Sequence, residues 1–108
     1  MDARELDFSN ESFDIVMLSS VLHHIDDDTG KNCFKEIHRV LKKDGVVIIS
    51  EPIVNYKSLI SIILCKLDRG NFIRTTDEYQ SLFKNFIIKA TNRFKFGGHF
   101  FCSFVLKK

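Results

Sequence analysis

Two short apolar runs with an amphipathic stretch between them constrain this chain more than anything else in it. Phe13-Asp14-Ile15-Val16-Met17-Leu18-Ser19 is nearly continuous in apolar residues, and so is Gly45-Val46-Val47-Ile48-Ile49-Ser50. Runs of this length suit strands covered on both faces, as in a parallel sheet. Between them, Cys33, Phe34, Ile37, Val40 and Leu41 recur at helical spacing, with Lys35, Glu36, His38, Arg39 and Lys42 on the other side. Asp26, Asp27 and Asp28 stand where the positive end of a helix dipole favours carboxylates. Lys42-Lys43-Asp44-Gly45 reads as the helix stop and turn. Strand, helix and strand with short joints make one parallel crossover unit, which puts the chain in the α/β class.

The second half supplies cover and an edge. A helix is expected over 56–67, with Leu59, Ile60, Ile63, Leu64 and Leu67 on the side that packs on the sheet and Gly70 ending it. Thr75 and Glu78 have capping-box spacing and announce a third helix, whose apolar stripe is Tyr79, Leu82, Phe83 and Phe86. From 88 to 96, Lys89, Thr91, Arg93 and Lys95 alternate with Ile88, Ala90, Phe94 and Phe96, the pattern of a half-exposed strand. Gly97-Gly98 is a hairpin signal. The returning strand carries Phe100, Cys102, Phe104 and Leu106 on one face, and Phe101 and Val105 on the other. Apolar on both faces, it belongs inside the sheet with its partner at the edge. No repeat or linker divides residues 1–108, so one domain is expected.

Composition excludes several functions. A net charge of +2, with basic residues scattered among apolar ones, does not make the concentrated basic face that nucleic acid requires. The longest apolar run, 59–65, is far below the roughly twenty residues needed to span a bilayer. Three widely separated cysteines, Cys33, Cys65 and Cys102, in apolar surroundings suit reduced buried thiols, and no basic-then-apolar leader opens the chain. A soluble cytoplasmic protein is the expectation. His24, Cys33 and His38 match no common zinc spacing, so no metal site is expected.

Several segments together resemble the class I S-adenosylmethionine-dependent methyltransferases with small-molecule substrates. They are Asp2-Ala3-Arg4-Glu5-Leu6-Asp7-Phe8, Ser12-Phe13-Asp14, Val21-Leu22-His23-His24-Ile25, the helix 36–42 and the strand with its closing Glu51-Pro52. The motif run covers residues 2–52, and the order of elements covers the rest. Asp7 replaces a usual proline, and Lys43-Asp44-Gly45 replaces a usual Pro-Gly-Gly turn. The resemblance implies a partial Rossmann-like fold, with parallel strands, a C-terminal antiparallel hairpin and the family's first three strands missing. The glycine-rich loop that approaches the cofactor, and the acidic residue that holds its ribose, have no counterpart in these residues. A truncated reading frame, an excised fragment and a degenerate gene product all fit such a beginning.

The resemblance also implies a site. S-adenosylmethionine is the implied cofactor and a small molecule the implied methyl acceptor. Asp2 would accept from the adenine amino group and Ala3 would offer its backbone amide, although Asp2 alone could equally be a frayed terminal residue. Ser19 and Ser20 would face the methionine end of the cofactor at the mouth of the crevice. His23 and His24 are the candidates for acceptor contact and for a base, or else residues that only line the pocket. Glu51-Pro52 lines the substrate side. Tyr56, Arg69, Phe72 and Arg74 fall in the variable cover, the two arginines read as solvated rather than as partners of an acidic substrate group. A sheet of only the last four strands exposes the edge of the Phe13–Ser19 strand, through which a second copy or a partner chain could pair. The alternative to an enzyme is a non-catalytic module that pairs with a complete methyltransferase.

Overall fold

A computed structural model describes residues 3–54, 58–67, 72–96 and 99–108. Strand β1 (Phe13–Ser19) leads through a short 3₁₀ turn (Leu22–His24) into helix α1 (Asp27–Val40) and strand β2 (Leu41–Ile53). Helices α2 (Leu59–Leu67) and α3 (Thr76–Gln80) follow, then strands β3 (Ile87–Phe96) and β4 (His99–Lys107). The sheet order is β1-β2-β4-β3, with β1 parallel to β2 and β4 antiparallel to both its neighbours. This is the parallel crossover and inner last strand that the side-chain pattern indicated. Phe96 pairs with His99 across the hairpin; Gly97 and Gly98 lie outside the described residues, as do Tyr56 and Gly70.

Helix α1 starts where the acidic run places it. Asp26 is its N-cap, its side chain accepting from the Thr29 amide at 2.7 Å. Those Thr29 hydrogen bonds, aided by the charges of Arg4 and Arg74, hold the Asp26 carboxyl below its ordinary range. Cys33, Phe34, Ile37 and Val40 are buried on one stripe, as the periodicity requires. The helix ends at Val40, and the expected turn at 42–45 lies instead inside β2. Pairing slips there from Phe13–Leu41 to Ile15–Val46, and Asp44 takes a left-handed φ of 64°. Gly45 is required at this irregularity, since a Cβ would sit 2.6 Å from Leu41 Cγ and 2.8 Å from the Lys42 carbonyl.

The two faces of the sheet differ. On one face Val47, Ile49, Cys102, Phe104 and Leu106 are fully buried. Phe34 and Phe83 cover them, with ring centroids 4.9 Å apart, and Phe83 stacks edge-on to Phe104 at 5.1 Å. The capping box of Thr75 and Glu78 starts α3 as its spacing indicated. That helix is only five residues long, so Leu82, Phe83 and Phe86 reach the core from the turns beyond it.

Three expectations of cover fail. Strand β1 is not enclosed on both faces: Ile15 is 57% and Met17 71% exposed. Leu59, Ile60 and Ile63 of α2 face outward rather than onto the sheet, Leu59 being 73% exposed. Every residue of β3 is exposed, where half-burial was expected. In each case these apolar side chains stay open among the described residues, although α2 itself lies beside β4.

Register gives the open face its composition. Met17, Ile48, Val105 and Ala90 lie side by side across the four strands; next comes Ser19, Ser50, Ser103 and Asn92; then Pro52, Phe101 and Phe94. Of these only Pro52 is buried.

Candidate functional site

The carboxyl ends of parallel strands are where α/β sheets bind ligands, because the connecting loops diverge there. Here the loop after β1 is held from two sides by buried charges. Strand alternation turns Glu51 toward the covered face with Val47 and Ile49, so its carboxylate ends up fully buried at the mouth of β2. Oε1 accepts from the amides of Val21 at 2.8 Å and Leu22 at 2.7 Å, and Oε2 lies 2.9 Å from His23 Nδ1. Three donors are what an ionised carboxylate needs to tolerate removal from water. Against an ionised carboxylate, which only accepts, His23 Nδ1 is the donor. His23 is itself buried, whereas His24 is exposed, their rings 4.0 Å apart.

Arg74 grips the same loop by its carbonyls. Nη1 donates to Leu22 O at 2.8 Å, Nη2 to Ile25 O at 2.7 Å and Nε to Asp27 Oδ1 at 2.9 Å. The Phe72 amide adds a bond to His23 O at 3.0 Å. The expectation of a solvated Arg74 is therefore corrected: only 4% of it is exposed, because the loop's unpaired carbonyls need a donor and a guanidinium supplies several. Arg74 also bridges Ile53, so both ends of the segment after β2 meet beside this loop. The Tyr79 hydroxyl donates to Pro52 O at 2.6 Å and braces the end of β2 from the core side.

The other expected residues are distributed as follows. Ser19 ends β1, and Ser20 follows in a left-handed conformation (φ 55°), its amide donating to Ser50 O at 2.9 Å; both are exposed. Ala3 is exposed in a turn, and the Arg4 charge acts on Asp26 at the start of α1, which sets this segment at the same end of the sheet. From there the chain runs back along α1, Arg39 donating to the carbonyls of Leu6 and Phe8. Asp2 and Arg69 lie outside the described residues. Ala3, Ser19, Ser20, His23 and His24 thus share one end of the sheet. Among the described residues no three His, Cys, Asp or Glu side chains converge as a metal site, and no helix is long and apolar enough to cross a membrane.

Glu51 had a legible signal in its parity with Val47 and Ile49; Arg74 had none. Cys102, paired in register with Glu51, is chemically quiet: burial and then the Glu51 charge push its thiol up to about 12.

Residues 1–49 match the model of the methyltransferase domain family. A S-adenosylmethionine-dependent methyltransferase of Methanosarcina mazei superposes over 100% of this chain with a TM-score of 0.81 at 20% identity. The fold is that of a class I methyltransferase domain. A Thermotoga maritima methyltransferase, described as a possible histamine N-methyltransferase, matches 98% of the chain with a TM-score of 0.74 at 22% identity. A Haemonchus contortus phosphoethanolamine N-methyltransferase, solved with phosphomonomethylethanolamine and S-adenosylhomocysteine, matches 99% with a TM-score of 0.75 at 18% identity. A search of curated proteins by sequence finds no match. The chain spans 65%, 61% and 36% of these three solved chains, so it carries part of the methyltransferase fold.

Proposed function

We propose that the chain is the acceptor-side part of a S-adenosylmethionine-dependent methyltransferase domain acting on a small molecule in the cytoplasm. The observation that carries this reading is the buried Glu51–His23 pair at the carboxyl ends of two parallel strands, beside the exposed His24. The residues fit one rim of a cofactor site. Ser19 and Ser20 are small, exposed and at the strand mouth, with Ala3 at the same end of the sheet. The 108 residues hold no glycine-rich loop, so these side chains serve as part of a binding site.

Bound S-adenosylmethionine supplies an electrophilic methyl group. This chain's own residues then have two tasks. The first is alignment of an acceptor with that methyl, which His24 performs from the rim. The second is removal of the proton from an O–H or N–H acceptor as its lone pair takes the methyl. Glu51 orients the His23 ring beside the exposed His24, and we assign this proton transfer to that histidine pair.

Calorimetric titration of the purified chain with S-adenosylhomocysteine tests the reading. Saturable binding, weakened by Ser20→Trp at the rim, is the expected result. A folded chain that takes up no ligand would overturn it. That outcome favours a second reading, a non-catalytic module of the same fold that pairs with a complete methyltransferase.

A further inference from the structure

The turn that carries His23 and His24 makes little backbone structure of its own. His24 N donates to Val21 O at 3.1 Å and Ile25 N to Leu22 O at 3.2 Å, the bonding of a single 3₁₀ turn. Bonds of that geometry are poor, so outside contacts decide how the turn sits. Glu51 supplies one anchor, but its contacts with the Val21 and Leu22 amides and the His23 ring converge on a single carboxylate. Contacts that meet at one group fix a place. Fixing an orientation takes a second anchor away from the first.

Arg74 is that second anchor. Its rigid guanidinium spans the turn, Nη1 on Leu22 O and Nη2 on Ile25 O, and so grips both residues that flank the histidine pair. Phe72, two positions earlier, donates its amide to the carbonyl of His23 between them. The fork is itself held in place. Nε donates to Asp27 Oδ1 on the first turn of α1, and the Arg74 backbone pairs with Ile53 at the end of β2. Glu51 stands two residues before Ile53 on the same strand, so β2 sets the spacing of the two anchors. Every contact of the clamp lies between residues 21 and 74, so it needs no other part of the domain.

We infer, on the reading of His23 and His24 as acceptor-side groups, that Arg74 is a positioning residue for methyl transfer, setting the angle at which the pair faces the acceptor. Arg74 is only 4% exposed whereas His24 is open, so the guanidinium acts through the turn and not on the acceptor. Alignment is the main demand of an in-line transfer, and misplacing a reacting group by about 1 Å can cost about a hundredfold in rate. Lysine would keep the charge but offers one compact ammonium, which cannot hold two carbonyls and a carboxylate in one plane.

Nuclear magnetic resonance of the purified chain with 15N-labelled histidine tests this, read beside calorimetric titration with S-adenosylhomocysteine. In Arg74→Lys the amide signals of Val47 and Ile49 should keep their places, while the ring signals of His23 and His24 move. The proton between His23 Nδ1 and Glu51 should exchange with water about tenfold faster or more, as the turn opens locally. Affinity for S-adenosylhomocysteine should stay within about twofold of the wild-type value, since Ser19 and Ser20 precede the turn. Asp27→Ala, at an exposed position, frees Nε alone and should move the same ring signals by less. If Arg74→Lys unfolds the sheet, Asp27→Ala decides by those signals. A wild-type chain that takes up no S-adenosylhomocysteine overturns the reading of the site, and this role of Arg74 with it. Ring signals unmoved in both variants, with wild-type binding intact, overturn the role of Arg74 alone. So does a loss of ligand binding that accompanies the ring changes, because Arg74 would then brace the whole mouth.

Discussion

Glu51 and Arg74 divide the work on one loop by the chemistry each can do. The carboxylate takes N–H groups and the guanidinium takes carbonyls, so neither could replace the other. Glu51→Ala strands the buried Leu22 and His23 donors and should cost about 3 kcal/mol in urea unfolding, whereas Glu51→Gln, keeping an acceptor oxygen, should cost less. Two further buried groups set an alkaline limit. Burial and then Glu51 push Cys102 from 9.0 to about 12. Burial likewise raises Tyr79 above its ordinary 10.0. Both stay protonated in the fold while the unfolded chain releases their protons. Their contribution is thus whole below pH 9 and is lost as pH climbs from 9 through about 12. Thermal midpoints measured across that range should fall, and Cys102→Ala should flatten part of the fall.

At the level of elements, much was legible because periodicity names the apolar side of a helix or strand. The crossover of β1, α1 and β2 followed from two runs and one stripe. The inner position of β4 followed from apolar residues on both its faces, and the start of α3 from Thr75 and Glu78. Thr75→Ala should cost about 1 kcal/mol, read by denaturant midpoint, because it removes the acceptor for the Glu78 amide. Periodicity does not say whether a neighbour is present. The stripe of α2 was as clear as that of α1, yet its Leu59, Ile60 and Ile63 are exposed. Leu59→Lys should therefore change stability by no more than about 0.5 kcal/mol in the same assay. Arg74 escaped the sequence for a related reason: its partners are backbone carbonyls about fifty positions away, which carry no side-chain signature.

Among the described residues the sheet has one sealed and one open side, and its stability is lopsided accordingly. Ile49→Ala, on the sealed side, should cost about 3 kcal/mol because it leaves a cavity among packed rings. Met17→Ala, on the open side, should cost under about 1 kcal/mol. Chemical denaturation of the two variants side by side checks both. The loop clamp has a different consequence, in time rather than energy. The Leu22 amide is bonded to a residue 29 positions later, and the Leu22 carbonyl to one 52 positions later. Closing such long loops costs chain entropy that only the assembled sheet repays. The histidine-bearing turn therefore acquires its shape last during refolding, after β2 has docked and the stretch before α3 has returned. In a pulse-labelling experiment the Leu22 amide should gain protection no earlier than the strand amides of Val47 and Ile49.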